Sequence, residues 1–266
     1  PRFWQGVMYD ITDRKRAEQD LRQALALERD AVERLREADE LKDAFLTAVS
    51  HDLRTPLSTI LGIAVTLEHE DDVPLDPADR RELLRSLNAK ARELTDLVTD
   101  LLDLDRLRRG VTEAQLRVEA LHELVASQAR AADLGDDHPL TLDLEPAAIA
   151  CDRTMVGRIV ENLLANAGRH TPAGTRVWVR LSGDAEGGAL LVVEDDGPGV
   201  PAALRETLFT PFERGPSANP QSPGSGVGLS LVARFAELHR GRAWVEDRAG
   251  GGASFRVWLP GAAAVS

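Results

Sequence analysis

The sequence predicts a dimeric four-helix bundle, built from one helical hairpin per chain, followed by an α/β sandwich with a mixed sheet. Three observations predict this architecture. No Gly or Pro lies between Gly6 and Pro56, and the intervening residues are strong helix formers. Leucines then recur at heptad spacing up to about residue 104. From about Val111, short segments rich in β-branched residues alternate with helical segments.

The composition narrows the possible functions. The 266 residues are 43% hydrophobic, enough for a core, and 44 acidic against 32 basic residues leave a net charge of -12. This charge disfavours a broad surface for nucleic acid or anionic lipid, and only 4% of the residues are aromatic, which disfavours base stacking. No apolar run approaches the roughly 18 residues of a membrane helix, and no signal-peptide pattern begins the chain. We expect a soluble piece of a longer protein, without nucleic-acid or direct membrane contact. The single cysteine, Cys151, is expected to be a small core residue.

The N-terminal half is expected to be helical. Residues 1–12 are strand-like, and residues 13–40 form a helical connector whose coiled-coil register is ambiguous. A strict heptad pattern follows, and after the loop EHEDDVPLDP a second helix is long enough to run back along the first. Two helices make too small a core for a monomer, which favours a dimeric bundle. The competing connector stripes are Leu21, Leu25, Val32 and Leu35 against Ala24, Ala31, Ala38 and Phe45, and the bundle positions are Leu46, Leu53, Ile60, Leu67, Val49, Pro56, Ile63, Leu87, Leu94, Leu97, Leu101 and Leu104.

The C-terminal half is expected to be a mixed sheet with helices stacked on it. A hairpin is predicted from Arg176 to Glu194, and the stretch ERGPSANPQSPGSGVG is too rich in Pro, Ser and Gly to be a packed element. The predicted strands are PLTLDL, TRVWVRL, ALLVVED, RAWVED and ASFRVWL, and the predicted helices are ALHELVASQARAADL, DRTMVGRIVENLLANAGR and SLVARFAELHR.

His51 is the first candidate for chemistry. It falls two residues before the seam position Leu53, on the outside of the bundle, with Asp52 beside it and Thr55 one turn further on the same face. A neutral imidazole is a nucleophile, and an adjacent carboxylate can hold one ring proton or accept it. An exposed histidine beside an aspartate can also be merely solvated. Thr55 can likewise satisfy the helix backbone ahead of Pro56, where the carbonyl of Asp52 loses its usual partner.

Two glycine-rich segments and one pair of amides are the other candidates. VEDDGPGVP places Asp195 at the end of an apolar strand before Gly197 and Gly199, which fits either a pocket for an exocyclic amine or an ordinary turn. GSGVGLSLV opens a helix whose free N–H groups suit phosphate. ENLLANAGRH sets Asn162 and Asn166 on one helical face, where they can bind a metal, phosphates or backbone groups. The other residues of interest in these segments are Arg169, His170, Gly224, Gly226, Gly228 and Leu229.

In their order along one chain, these segments resemble the cytoplasmic core of a bacterial sensor histidine kinase of a two-component system. VSHDLRTPL is similar to the phospho-acceptor box, RIVENLLANAGRHTP to the asparagine box, VEDDGPGVP to the first glycine box, LFTPFERG with Phe212 to the phenylalanine box, and GSGVGLSLV to the second glycine box. The opening GVMYDITDRKRAEQ resembles the exit of a PAS sensor domain. Five boxes in family order are a specific match.

The resemblance implies a role for each matching residue. His51 would be the phosphorylated nucleophile and Asp52 its base or orienting acid, although many relatives have Glu there. Asn166 would bind the Mg²⁺ of ATP, with Asn162, Arg169 and His170 nearby, and Arg169 stands where relatives often place a Lys facing phosphate. Asp195 would accept the adenine amine, Gly197 and Gly199 would shape the adenine pocket, and the three glycines of the second box would meet phosphates beneath a lid at 213–225. The chain departs from the family at Gly168, where a β-branched residue is common.

The resemblance also implies a domain plan and a reaction. Residues 1–12 would be a PAS remnant, 13–40 a coiled-coil connector, 41–109 the dimerisation and phosphotransfer hairpin, and 114–262 the ATP-binding domain. The homodimer would phosphorylate His51 with ATP, pass the phosphoryl group to an aspartate of a response regulator, and in HDxxT families also dephosphorylate that regulator. Two alternative functions remain. One is an ATP-driven clamp of the chaperone or topoisomerase type, which the expected exposure of His51 disfavours. The other is a non-catalytic scaffold.

Overall fold

The computed structural model describes residues 10, 12–69, 75–110, 113–132, 134, 137–210 and 226–261. Within the first helix, the side chains of residues 40–46 and of several earlier positions lie outside the described part. Contacts divide the chain into two compact units, residues 1–50 and 51–266. Most of the predicted PAS remnant at 1–12 and all of the predicted lid at 213–225 lie outside the described residues.

The chain begins with two long helices and continues with a mixed α/β arrangement. The helix α1 spans Thr12–Glu68 and α2 spans Pro77–Arg108. The later elements are β1 Arg117–Ala120, α3 Leu121–Ala131, β2 Leu140–Leu144, β3 Ala148–Cys151, α4 Arg153–His170, β4 Val177–Gly183, β5 Ala189–Asp195, a 3₁₀ helix Ala202–Leu204, α5 Gly228–Leu238, β6 Arg242–Asp247 and β7 Ala253–Leu259.

The two long helices carry the predicted heptad pattern. Pro77 stands in the first turn of α2, and the side chain of Asp76 caps this helix by accepting a hydrogen bond from the N–H of Ala78 at 2.7 Å. At the seam positions, Pro56 and Ile63 are buried, whereas Leu61 off the seam is 64% exposed in the single chain. No described helix is both long and apolar enough to cross a membrane. The side chains of several predicted connector and seam residues (Leu21, Ala24, Leu35, Ala38, Phe45 and Leu46) lie outside the described part.

The five-stranded sheet is mixed, as the sequence predicts. Its order is β2-β4-β5-β7-β6, with β2 parallel to β4 and the other neighbours antiparallel. Val177, Val179 and Leu181 of β4 point to the buried face, because alternate residues of a strand face opposite sides. The predicted hairpin is β4–β5. A separate two-stranded ribbon, β1–β3, is not predicted, since four-residue strands carry too little alternation.

The helices α3, α4 and α5 supply the rest of the core, whose largest part is a single cluster of buried apolar residues. Cys151 is fully buried in this cluster, as predicted. Asp152 follows it and begins α4: its Oδ1 accepts from the N–H groups of Thr154 at 2.9 Å and Met155 at 3.1 Å. Its Oδ2 accepts from the N–H of Gln115 at 2.9 Å. One carboxylate therefore starts α4 and ties the segment before β1 to it.

We expect Asp152→Ala to lower the free energy of unfolding by about 1–2 kcal/mol, because α4 loses its capping acceptor. Asp152→Asn keeps an amide oxygen at that position and should lose roughly half as much or less. Urea denaturation followed by tryptophan fluorescence measures both. Asp143→Ala, at an exposed position of β2, is the matched control, and an equal loss in that variant would contradict the capping role.

Candidate functional site

His51 lies on an exposed face of α1, as predicted. Its side chain is 63% exposed, and its Nδ1 lies 3.3 Å from Oδ1 of Asp52, whose own side chain is 10% exposed. A carboxylate accepts hydrogen bonds, so this contact favours the tautomer with the proton on Nδ1. In that tautomer Nε2 carries the lone pair, and the imidazole presents a nucleophilic nitrogen to solvent.

Thr55 lies one turn after His51 and is exposed as well. Its Oγ1 donates a hydrogen bond to the backbone carbonyl of His51 at 3.2 Å. The sequence also allowed this hydroxyl to satisfy the carbonyl of Asp52, which loses its usual N–H partner because of Pro56. The hydroxyl bonds the carbonyl of His51 instead. A serine or threonine hydroxyl can bond the carbonyl four residues earlier in any helix. This contact alone therefore does not indicate a functional role for Thr55.

Asp195 ends β5 and is 4% exposed. Its Oδ1 accepts from the N–H of Gly197 at 2.9 Å and from that of Ala253 at 3.4 Å. Burial raises the pKa of Asp195, and the two N–H donors oppose this shift. Among the described residues no donor reaches Oδ2. The carboxylate is thus held by one oxygen and can offer the other to a donor such as an exocyclic amine.

The backbone after Asp195 is packed too closely to admit side chains. A Cβ on Gly197 would lie 2.8 Å from Cγ2 of Thr171, and one on Gly199, whose φ is +74°, would lie 3.2 Å from the carbonyl oxygen of Gly252. A Cβ on Gly252 would overlap the carbonyl of Asp195. The first glycine box therefore forms a surface shared with the 250–252 turn. Sequence reasoning missed Gly252, although the AGGGAS run was a visible signal.

Thr171 and His138 support this surface from the end of α4, and sequence reasoning missed both. The hydroxyl of Thr171 donates to the carbonyl of Ala167 at 2.7 Å, and Nε2 of His138 lies 3.1 Å from the same hydroxyl oxygen. His138 is 8% exposed. Since the hydroxyl already donates its proton, the imidazole nitrogen is the donor in the second bond. These contacts fix the methyl group that packs against Gly197.

The predicted amide pair lies on α4. Nδ2 of Asn162 is buried without a hydrogen-bond partner among the described residues, and a Cβ on Gly228 would lie 2.9 Å from its Oδ1. Gly228 thus permits a close approach of α5 to α4. Asn166 is half-buried, four residues further along the same face.

Among the described residues no group of three or more His, Cys, Asp or Glu side chains could hold a metal ion, and Mg²⁺ needs few protein ligands beside phosphate oxygens. The unpaired Nδ2 of Asn162 and the half-buried amide of Asn166 fit a nucleotide with its metal.

The remaining predicted residues divide into three groups. Arg169 and His170 end α4 and are exposed, and desolvation and the neighbouring Arg169 lower the pKa of His170. Gly226 has a φ of +63° just before α5, and Leu229 is half-buried in its first turn. Val227, the N-cap of α5, makes no side-chain capping bond, and the N-terminus of a helix favours an anion. Phe212 and Gly224 lie outside the described residues.

Two family models match the chain. The model described as "His Kinase A (phospho-acceptor) domain" matches residues 41–110. The model described as "Histidine kinase-, DNA gyrase B-, and HSP90-like ATPase" matches residues 151–263. The first match contains His51, Asp52 and Thr55, and the second contains Asn162, Asn166 and Asp195.

Individual proteins similar to this chain include sensor histidine kinases. Sensor histidine kinase TmoS of Ectopseudomonas mendocina is 36% identical over 261 residues, which are 94% of this chain and 26% of the relative. The solved structure of the mycobacterial sensor histidine kinase MprB is 32% identical with a TM-score of 0.51, covering 55% of this chain and 99% of that one. Full-length ShkA in complex with AMPPNP is 26% identical with a TM-score of 0.58, covering 82% of this chain and 45% of that one.

The chain spans under half the length of the first curated relatives, so the family assignment applies to this segment. The matched ATPase-type model establishes an ATP-binding domain in the C-terminal half. The matched phospho-acceptor model establishes the histidine-bearing helical region that precedes it. By the two family models and the similarity to MprB, the chain belongs to the sensor histidine kinases of two-component systems, which are ATP-dependent protein-histidine kinases.

Proposed function

We propose that this segment phosphorylates His51 with ATP and passes the phosphoryl group to an aspartate on the receiver domain of a response regulator. One observation carries the proposal: an exposed histidine with an oriented ring lies in the same chain as a buried aspartate surrounded by tightly packed glycines. We place the PAS remnant at 1–12, the coiled-coil connector at 13–40, the phosphotransfer hairpin at 41–109 and the ATP-binding domain at 114–262. Such chemistry, which uses ATP and a receiver domain, implies a cytoplasmic location.

The proposed chemistry divides between the two regions. Asp52 holds the Nδ1 proton of His51, so Nε2 can attack the γ-phosphorus of ATP in line with the departing ADP oxygen. Asp195 accepts a hydrogen bond from the adenine amine through Oδ2, and the surface of Gly197, Gly199 and Gly252 admits the flat ring. Asn166 is the residue that would hold Mg²⁺, which supplies neutralisation of phosphate charge when bound. Catalysis is then mostly positioning.

The homodimer is part of the same proposal. Large apolar side chains on both hairpin helices are exposed in the single chain, which soluble monomers avoid as a contiguous face. A second copy of the hairpin would cover them and complete a four-helix bundle. The exposed fractions are 55% for Leu57, 64% for Leu61, 45% for Val65, 38% for Leu84, 43% for Val98 and 54% for Leu102.

His51→Gln should abolish autophosphorylation and leave ATP affinity unchanged, because the nucleophile and the nucleotide pocket lie in different parts of the chain. Incubation with γ-labelled ATP, followed by acid and alkali treatment, measures the label, since a phosphoramidate is acid-labile and alkali-stable. His69→Gln, also at an exposed position of the chain, is the matched control. Acid-labile label on the His51 variant would refute the assignment, and steady ATP hydrolysis without label would favour an ATP-driven clamp.

Asp195→Asn should weaken ATP binding at least tenfold, about 1.4 kcal/mol, because the adenine amine loses its charged acceptor. Because burial raises the pKa of Asp195, the wild-type affinity should fall at a milder acidity than an ordinary carboxylate would cause, whereas the variant should lack this step. Calorimetric titration with Mg-ADP at several pH values measures both effects. Asp196→Asn is the control, since that carboxylate pairs with Arg176 and should keep affinity within about threefold.

Thr55→Ala tests the proposed regulator phosphatase, in which the hydroxyl orients a water in line with the aspartyl phosphate. We expect autophosphorylation within a few-fold of wild type and regulator dephosphorylation slowed at least tenfold, about 1.4 kcal/mol of barrier. Thr59→Ala is matched, because Thr59 bonds the carbonyl of Thr55 in the same way one turn later, at 3.1 Å. Unchanged dephosphorylation in Thr55→Ala would rule out the phosphatase role, and equal losses in both variants would indicate a structural one.

A further inference from the structure

Asp195 and its neighbour Glu194 face opposite sides of the five-stranded sheet. Successive residues of a strand point to alternate faces, so Asp195 lies on the same side as Val193, which is buried in the core with the helices. Glu194 lies on the other side, the outer face. It pairs in register with Trp178 of β4 and with Ser254 of β7. These three residues form a row across the outer face, one residue away from Asp195.

The outer row holds the side chain of Arg248, the first residue after β6. Its guanidinium carbon lies 4.0 Å from the centre of the Trp178 ring, and its Nε lies 3.8 Å from Oε2 of Glu194. The side chains of Arg248 and Glu194 are only 18% and 8% exposed, and the attraction between charges is stronger away from water. The Nε of Arg248 has no hydrogen-bond partner among the described residues. Stacking and charge attraction therefore hold the guanidinium in the outer row.

Arg248 also organises the turn that it begins. Its Nη1 donates to the carbonyl of Gly251 at 3.3 Å, and its backbone N–H donates to the carbonyl of Gly252 at 3.1 Å. The N–H of Gly251 donates back to the carbonyl of Arg248 at 3.0 Å. Gly250, Gly251 and Gly252 have φ values between +96° and +100°, a conformation that requires glycine. Because these glycines bring no side chains to pack, the contacts of Arg248 are the ones that stabilise the turn.

The turn meets Asp195 at its far end. Gly252 packs against the carbonyl of Asp195, where a Cβ would overlap, and the N–H of Ala253 donates to Oδ1 of Asp195 at 3.4 Å. Arg248 also acts on the charge of this carboxylate. Burial raises the pKa of Asp195, the two backbone donors oppose the shift, Asp196 adds to it, and Arg248 opposes it. Arg248 therefore favours both the orientation and the charged form of Asp195.

We propose that Arg248 is a positioning residue for nucleotide binding, which acts through Asp195 and strengthens the preference of the pocket for a base with an exocyclic amine. The inference rests on the proposed role of Asp195 as the acceptor of the adenine amine. Arg248 is not a nucleotide contact itself, because its guanidinium stacks on Trp178 at the outer face of the sheet. A residue behind the pocket thus controls the strength of a hydrogen bond made inside it.

Arg248→Met keeps an unbranched stem beside Trp178 but removes the charge and the bond to Gly251. It should weaken Mg-ADP binding about fivefold, because Asp195 becomes a poorer acceptor. The Mg complex of purine riboside diphosphate, which lacks the exocyclic amine, should keep its affinity within about twofold. A turn that was merely loosened would weaken both ligands equally, because both carry the same flat ring system and the same phosphates.

A double-mutant cycle tests whether Arg248 acts through Asp195. Combined with Asp195→Asn, Arg248→Met should change Mg-ADP affinity by less than about twofold, because the charged acceptor that it supports is already absent. Arg248→Lys keeps a cation beside Glu194 and should bind Mg-ADP within about twofold of wild type. Trp178→Leu removes the ring on which the guanidinium stacks. It provides a second test of the same contact and should weaken Mg-ADP binding about threefold, again without affecting the purine analogue.

Arg242→Met is the matched control. Arg242 stacks over Trp244 at 4.7 Å in the same manner, but it begins β6 and lies at the opposite end of that strand from the glycine turn. This variant should bind both nucleotides like wild type. Calorimetric titration of the full chain and each variant with the two Mg-nucleotides measures every affinity in the comparison.

Equal losses for both nucleotides in Arg248→Met would overturn the positioning role, as would a fivefold loss that persists in the Asp195→Asn background. A loss of Mg-ADP affinity in Asp195→Asn with none in Arg248→Met and Trp178→Leu would overturn the role of Arg248 alone. If wild type binds the two nucleotides equally, the acceptor role of Asp195 fails, and the inference about Arg248 fails with it. A chain that binds Mg-ADP but is never labelled by ATP would refute the kinase function, and the two affinities would still decide the role of Arg248.

Discussion

The burial of one face of α4 is the constraint on which the rest of the structure depends. Its apolar residues, from Met155 to Ala167, lie in the core, and Asp152 fixes where the helix begins. Because burial sets the rotation of the helix, its other positions carry Asn162, which approaches Gly228 of α5, and Asn166 one turn further along. The same rotation directs Arg158 to α2. The packing of this one face therefore places the two amides and the contact with α2 on the same helix.

The two regions use burial in opposite ways. On α1, the histidine is exposed and only its orientation is controlled, through a neighbouring carboxylate that is largely buried. In the proposed reaction this histidine meets two different phosphate carriers, so it cannot be enclosed permanently. In the ATP-binding domain, the carboxylate of Asp195, the proposed acceptor of the adenine amine, is buried, and its conformation is fixed by two backbone donors. A buried carboxylate oxygen without a donor is costly, which would favour a ligand that donates a hydrogen bond to it.

The charges between α2 and α4 show why an ion pair need not add stability. The attraction between Arg158 and Asp100 is short-range, yet the carboxylate has a raised pKa because both groups leave water. Apolar burial of Leu104 and Leu107 compensates on the same surface. A contact with opposing terms of this kind can be shifted by modest changes in charge.

Much of this protein could be predicted from local sequence patterns. Heptad spacing, strand alternation and the order of five boxes were sufficient for the helical region, the mixed sheet and the exposure of His51, because these features depend on the period of a helix or a strand. The domain boundaries, the dimer and the roles of the site residues remain proposals.

Contacts between distant segments were decided only by the tertiary structure. The ribbon β1–β3, the support of Gly197 by Thr171 and His138, the close approach of Gly252 to Asp195 and the pairing of Arg158 with Asp100 join residues far apart in the chain. No local pattern encodes such pairs, because each partner alone resembles an ordinary surface charge, glycine or turn. The sequence by itself determined which groups are available for the proposed phosphoryl transfer. Tertiary packing decided which of them meet, since burial and desolvation exist only once the distant segments have come together.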